Sequence, residues 1–269
     1  MNLEAKIKKI NTLKNQLDSR LTDQGPWDSE FLEKVKIDFT YASNNLEGNP
    51  ITYGQTIQIL KDFVARKDTS LGDFLDILNH KSVLDIVFEN YTSTEISESN
   101  IKRLHKELMK NPAQWSSDIH YDPGKYKIFE NRTYRSTGKE HIYAPPKEVS
   151  SAMNQLISET NRLLREVNIK DIDRHPIAIA NRFHFQFLNH IHPFGDGNGR
   201  IARIFMNLIL LQNGYPPIFV TKVDKSKYLN CFVEEEKTPG AMLDFMADQL
   251  IKSLKSKLEN TPKRSPDLR

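Results

Sequence analysis

The sequence is poor in the features that would put it outside a reducing compartment or inside a bilayer. It has one cysteine, Cys231, in 269 residues, so no disulfide can form within it, and a lone thiol suits a reducing compartment. It has only two tryptophans. Its longest apolar stretches, such as Phe205-Met-Asn-Leu-Ile-Leu-Leu211, fall far short of the roughly 20 residues that span a membrane. The first residues alternate Lys with Leu and Ile and lack the apolar block of a signal peptide. An excess of one charge is missing too, because 38 basic side chains face 35 acidic ones for a net +3. Nucleic-acid binders concentrate basic residues on one face, whereas the densest basic run here is Lys6-Ile-Lys-Lys9. That charge neither demands nor forbids a nucleic-acid partner. The expectation is a cytoplasmic protein with no membrane and no nucleic acid among its partners.

What is present is ordinary for a globular chain: 38% hydrophobic and 27% charged residues, long enough for one substantial core and a smaller subdomain. Leu3, Ile7, Ile10, Leu13, Leu17 and Leu21 recur at steps of three and four, a helical apolar stripe broken by Gly25-Pro26. Either a second copy of the chain (a homodimer) or the chain's own core would cover that stripe. A second helix is signalled by Asp28 or Ser29 as N-cap and by Phe31, Val35, Phe39 and Ala42 on one face, stopping near Gly48-Asn-Pro50. Further helices read at about 53–66, 71–91 and 98–110. Residues 112–146 change character, with β-type pieces at Lys127–Phe129, Thr133–Arg135 and His141–Tyr143 that predict a small inserted hairpin. Helices follow at about 148–166, from Pro176 to the loop at Pro193, from Gly199 to Gly214, and over 225–236 and 239–258. The fold class is therefore all-α with one β-hairpin. Three regions are expected: an N-terminal helical region over 1–90, a main domain over 91–258, and a polar, disordered tail over 259–269.

The run Asp196-Gly-Asn-Gly-Arg200 carries chemistry. Two turn dipeptides in succession permit positive φ and close approach of the backbone to a ligand. The loop directly precedes a helix, whose free N–H groups and dipole favour an anion. Arg200 and Arg203 share a face of that helix's first turn, where their charge opposes the dipole unless an anion lies between them. Asp196 beside a polyphosphate calls for a cation, and Mg²⁺ held by one carboxylate plus phosphate oxygens is the usual arrangement. His192, just before the loop, is a proton acceptor near neutral pH. Taken singly, each of these is more often a plain turn, a structural histidine or a solvated arginine. Their joint order at a helix–loop–helix junction is what argues for a site.

The eight positions His192, Phe194, Asp196, Gly197, Asn198, Gly199, Arg200 and Arg203 resemble the signature of the Fic family of AMP transferases, His-x-Phe-x-Asp/Glu-Gly-Asn-Gly-Arg-x-x-Arg, without departure. His175-Pro-Ile-Ala and Phe185-Gln-Phe resemble the family's preceding helix, and Gly124-Lys-Tyr and Tyr143-Ala-Pro-Pro146 the borders of its hairpin, the flap. The resemblance implies a Fic-type helical bundle that moves AMP from ATP, with Mg²⁺, onto a Ser, Thr or Tyr hydroxyl of a target protein. It implies His192 as general base, Phe194 as core anchor of the loop and Asp196 as Mg²⁺ ligand. Gly197, Asn198 and Gly199 would bind the α- and β-phosphates, Arg200 the β-phosphate and Arg203 the γ-phosphate. Tyr228 resembles an aromatic that lines the adenine pocket. The flap, about 128–143, would dock the target by strand addition.

Ser43-Asn-Asn-Leu-Glu47-Gly48 resembles the family's inhibitory pattern, Ser/Thr-x-x-x-Glu-Gly/Asn, carried on a helix over about 29–47. That resemblance implies that Glu47 pairs with Arg203 and shuts the γ-phosphate site. Without the downstream signature the same residues would read as a helix terminus. Two alternatives stay open: removal of AMP from a modified protein, with Glu47 placing a water, and a non-catalytic nucleotide-binding regulator. His80 and His105 read as structural.

Overall fold

The computed structural model describes residues 1–21, 27–110, 122–135 and 137–262. Among these residues ten α-helices, a two-stranded hairpin, two short 3-10 turns and one π-helical stretch make up the regular structure. No helix is long and apolar enough to cross a membrane. In chain order the helices are α1 (Leu3–Asp18), α2 (Ser29–Leu46), α3 (Tyr53–Asp62), α4 (Leu71–Glu89) and α5 (Glu98–Leu108). The antiparallel strands β1 (Arg132–Tyr134) and β2 (Glu140–Ile142) follow, with Thr133 opposite His141. Then come α6 (Pro146–Arg165), α7 (Pro176–Phe185), α8 (Asn198–Gln212), α9 (Lys225–Glu234) and α10 (Ala241–Glu259).

Local chemistry starts these helices where the sequence says. The Asp28 carboxylate accepts from Phe31 N at 2.7 Å, Ser70 caps α4 through Asp73 N, and Ser97 caps α5 through Asn100 N. Each such cap is worth about 1 kcal/mol. Thr52 and Gln55 make a reciprocal capping box at α3.

Helix α8 runs through the middle. Every residue from Arg200 to Leu211 is buried, and a helix apolar nearly all round belongs to a core rather than a surface. Helix α7 lies along it, and α2, α4 and α5 close the side on which the loop before α8 emerges. The stripe on α1 buries Ile7, Ile10 and Leu17 against α10, where the buried Lys6 ammonium sits 2.8 Å from both Asp244 and Asp248. The chain's own core thus covers this face. One continuous apolar cluster extends from Ile7 to Leu258, while Ile51, Ile59 and Ile77 form a small satellite under α3.

Several boundaries differ from expectation, each for a physical reason. Helix α3 stops at Asp62 because Phe63 turns left-handed, with φ 54°. Helix α6 begins at Pro146 rather than Glu148, since a proline at the first helical position lacks only an N–H that would be unpaired anyway. Lys127–Phe129 is not a strand: Lys127 N donates to Pro193 O at 2.9 Å, which ties the segment to the loop before α8. The stripe from Ile177 to Ile191 is not one α-helix, because Gln186–Ile191 widens into a π-helical stretch. The expected break at Gly25-Pro26, the hairpin-turn residue Ser136 and the tail from 263 onward lie outside the described residues. The start of that tail is held: the Arg20 guanidinium donates to Leu258 O at 2.7 Å and Thr261 O at 3.0 Å.

Candidate active site

The π-helical stretch sets up the site. His192 N donates to Phe187 O at 2.8 Å, five residues back, and His192 itself takes the left-handed conformation, φ 47°. Single π turns and strained residues of this kind cluster at functional sites. The imidazole stacks on Tyr143 with ring centroids 4.0 Å apart, and its Nδ1 lies 3.0 Å from Leu188 O. A carbonyl only accepts, so Nδ1 carries the proton and Nε2 keeps its lone pair. Burial lowers the His192 pKa to about 4, which leaves the ring neutral and able to take a proton at physiological pH.

From His192 the chain turns back through a clamped loop. The Asn198 side chain accepts from Phe194 N at 3.0 Å and donates to Phe194 O at 2.9 Å, closing the five residues into a ring. Phe194 is fully buried and lies flat on His105, centroids 3.7 Å apart. His105 accepts from Gly124 N through Nδ1 at 2.8 Å and donates through Nε2 to Asp196 O at 2.9 Å. Gly197 has φ 74°, and a Cβ there would lie 2.9 Å from Met109 Sδ. It caps α8 without a side chain, so the first N–H groups of that helix are not capped from within. Such a helix end is an anion seat.

In place of an anion stands a carboxylate of the same chain. Arg203 donates through Nη2 to Glu47 Oε1 at 2.6 Å, and through Nε and Nη2 to Ser43 Oγ at 3.1 and 3.0 Å. Burial pushes the Glu47 carboxyl up, but Arg203, Arg200 and Lys225 outweigh it and hold it below the usual range, ionised. A Cβ at Gly199 would collide with Glu47 Oε1, so the carboxylate lies directly against the loop backbone. Glu47, Asp196, Asn198, Gly199, Arg203, His192 and Tyr228 line one cavity of about 500 Å³, with the flap residues Thr133, Tyr134 and Arg135 at its side. Tyr228 is buried and its hydroxyl is 2.9 Å from His184 Nε2.

Two residues of the run have side chains engaged within the protein. The Arg200 guanidinium is not in the cavity wall; it donates to Asp76 of α4 at 2.7 Å and touches Met109 Sδ. The Asn198 side chain is used up by Phe194, leaving only its backbone N–H for a ligand. No group of three or more metal-ligating side chains occurs among the described residues. The half-exposed Asp196 carboxylate at the cavity fits a cation that takes its other ligands from phosphate and water. Asp76, Lys225, Lys127 and Asn131 were missed by sequence reasoning. They approach the loop from α4, α9 and the flap, and no local pattern marks them.

A model of the Fic/DOC family matches residues 95–210, the segment that contains this loop. Over that segment the chain is similar to the Fic/DOC family. It is 30% identical over 216 residues to the protein adenylyltransferase Fic of Drosophila erecta, a match that covers 80% of this chain and 40% of that one. The counterpart from Aedes aegypti is 28% identical over 223 residues. The chain thus spans about 40% of the length of the curated relatives it matches. Among solved structures, a Fic-domain-containing signalling protein from Bacteroides thetaiotaomicron superposes with a TM-score of 0.79 at 28% identity, covering 98% of this chain and 99% of that one. Fic-1 from C. elegans shares the fold, with a TM-score of 0.77 at 19% identity over 95% of this chain and 71% of that one. The fold is the Fic helical bundle with its two-stranded hairpin.

Proposed function

We propose that this chain is a protein adenylyltransferase held off by its own Glu47. The observation that carries the reading is the Arg203–Glu47 pair against Gly199, in the cavity that also holds the His192 imidazole. In the active arrangement ATP lies along the loop. The first N–H groups of α8 take the α- and β-phosphate oxygens and Arg203, freed from Glu47, takes the γ-phosphate. Asp196 would hold Mg²⁺, which neutralises phosphate charge. His192 Nε2 removes the proton from a target hydroxyl, whose oxygen attacks the α-phosphorus; the bond to the β-phosphate oxygen breaks and pyrophosphate leaves. Positioning and charge neutralisation carry such a transfer, with no covalent enzyme intermediate. Arg200 contributes by anchoring the loop to Asp76 and adding charge behind it.

With Glu47 in place, the γ-phosphate has no arginine to meet. A displacement of the triphosphate by about 1 Å can cost about a hundredfold in rate. The target segment lies against the flap, where Tyr134 and Ile142 present exposed apolar side chains. Incubation with ATP labelled at the α-phosphate tests the reading: Glu47→Gly transfers label to itself or to a lysate protein, and His192→Ala on that background transfers none. Equal labelling by the two variants overturns it. The half-exposed Glu47 carboxylate in the cavity also suits a second reaction, removal of AMP by a water that Glu47 orients. Release of AMP from a modified protein by the wild-type chain, but not by Glu47→Gly, distinguishes it.

A further inference from the structure

We infer that Lys127 and Asn131, at the base of the flap, are positioning residues that hold His192 in its strained turn. Four successive carbonyls surround the base, those of Ile191, His192, Pro193 and Phe194, and all four accept from these two residues. Lys127 N donates to Pro193 O at 2.9 Å and Lys127 Nζ to Ile191 O at 3.2 Å. Asn131 Nδ2 donates to Phe194 O at 3.1 Å and, at a longer 3.5 Å, to His192 O. Lys127 Nζ also donates to Asn131 Oδ1 at 2.5 Å, so the pair acts as a unit. A non-glycine residue at φ 47° persists only where its surroundings determine it. Here the surroundings are these donors on one side and Leu188 O, which receives Nδ1–H, on the other.

The lysine is a costly choice for a merely structural position. Its side chain is buried, at 5% exposure, and among the described residues no carboxylate comes within ion-pair distance of it. Burial pulls its pKa down to about 8, with Glu130 opposing only from a distance. A methionine would fill the same space without desolvating a charge. Groups that are expensive to keep and sit beside a reacting side chain are candidates for function. The groups facing the ammonium are Glu130, the Tyr143 ring at 5.7 Å and His192. The cation lowers the affinity of His192 for a proton, so it helps keep the base neutral as well as placed.

The activity assay of this inference rests on the adenylyltransferase reading, and a second readout does not. On the Glu47→Gly background, Lys127→Met and Asn131→Ala should each lower kcat at least about tenfold while KM for ATP stays within about twofold. The double variant should fall little further than either single one, because the two act together. Lys127→Arg, which keeps the cation and its donors, should recover most of the rate. Unchanged kcat in both single variants, or KM for ATP rising in step with the loss of kcat, overturns the inference. In NMR spectra at pH 7, Lys127→Met should displace the His192 ring C–H signals from their parent positions, as a ring released from its strained turn would, and unmoved signals overturn the inference in the same way. If Glu47→Gly itself transfers no AMP, the adenylyltransferase reading fails, and the NMR arm still decides this inference.

Discussion

Arg203 and Gly197 show how single residues divide the labour at this loop. The Arg203 guanidinium is buried and held through Nε and Nη2 by Ser43 of α2 and by Glu47 just past its end. Removing one partner of a buried pair leaves a charge that must find another, and under the proposed function the phosphate of ATP would be that partner in the Glu47→Gly protein. Gly197 has the opposite role, supplying space. Its left-handed φ of 74° strains any residue with a side chain, and a Cβ there would lie 2.9 Å from Met109 Sδ, which would have to shift for alanine. Gly197→Ala on the Glu47→Gly background should therefore lose AMP transfer by at least about tenfold, through displacement of the phosphate-facing N–H groups. Transfer assays with both proteins check this, and a rate within about twofold of the parent would show that the loop tolerates the shift. At this scale the sequence was most informative. His192, Asp196, Gly199 and Arg203 lie within one short local run, and their convergence needs only a turn and one helix start. The pairing of Arg200 with Asp76 was not legible, because Asp76 arrives from a helix far away in the chain and nothing local points to it.

The elements explain how an N-terminal helix reaches the site. Helix α2 ends at Leu46 with no basic residue in its last turn, so its terminal carbonyls lack the usual cationic neighbour. Lys225, first residue of α9, fills that place by donating to Leu46 O at 2.7 Å, and its charge also favours ionised Glu47. It links the cavity wall carrying Tyr228 to the end of α2, next to Glu47. With Glu47 retained, Lys225→Met should raise AMP labelling severalfold, and on the Glu47→Gly background it should change nothing. Time courses of labelling for the four proteins check this; an equal rise on both backgrounds would mean that Lys225 acts on ATP rather than on the helix. Helix starts at this scale were legible from Asp28, Ser70 and Ser97, whose caps are written in adjacent residues. The π-helical widening at Gln186–Ile191 was not legible, because the same apolar stripe suits a regular helix. Lys127–Phe129 reads as a strand from residue type and is pulled away by Pro193 O, a tertiary partner.

For the whole molecule, the histidines set the response to acid. His105, His175 and His192 are lowered by burial to about 4 and His184 to about 3, while His80 is lowered well below its ordinary 6.5. Each is neutral in the folded chain and protonates near 6.5 once unfolded. The unfolded state therefore binds more protons between about pH 6.5 and 4, and stability must fall as pH drops through that window. The melting temperature should be flat from pH 8 to 7 and decline steadily below 6.5. A melting temperature unchanged from pH 7 to 4.5 would contradict the buried neutral state of these rings. One apolar cluster from α1 to α10 encloses most of them, so the loss should be cooperative rather than confined to the N-terminal helices.

In the proposed enzyme Glu47 occupies the place on Arg203 that the γ-phosphate of ATP would take, in a site that transfers the α-phosphoryl group with its adenosine. The most direct measurement incubates wild type, Glu47→Gly and Glu47→Gly/His192→Ala in parallel with ATP labelled at either the α- or the γ-phosphate, and follows label that stays on protein. Protein-bound label is expected from the α-position only, strong for Glu47→Gly, weak for wild type and absent without His192. Label retained from the γ-position, or equal α-label on wild type and Glu47→Gly, would contradict it.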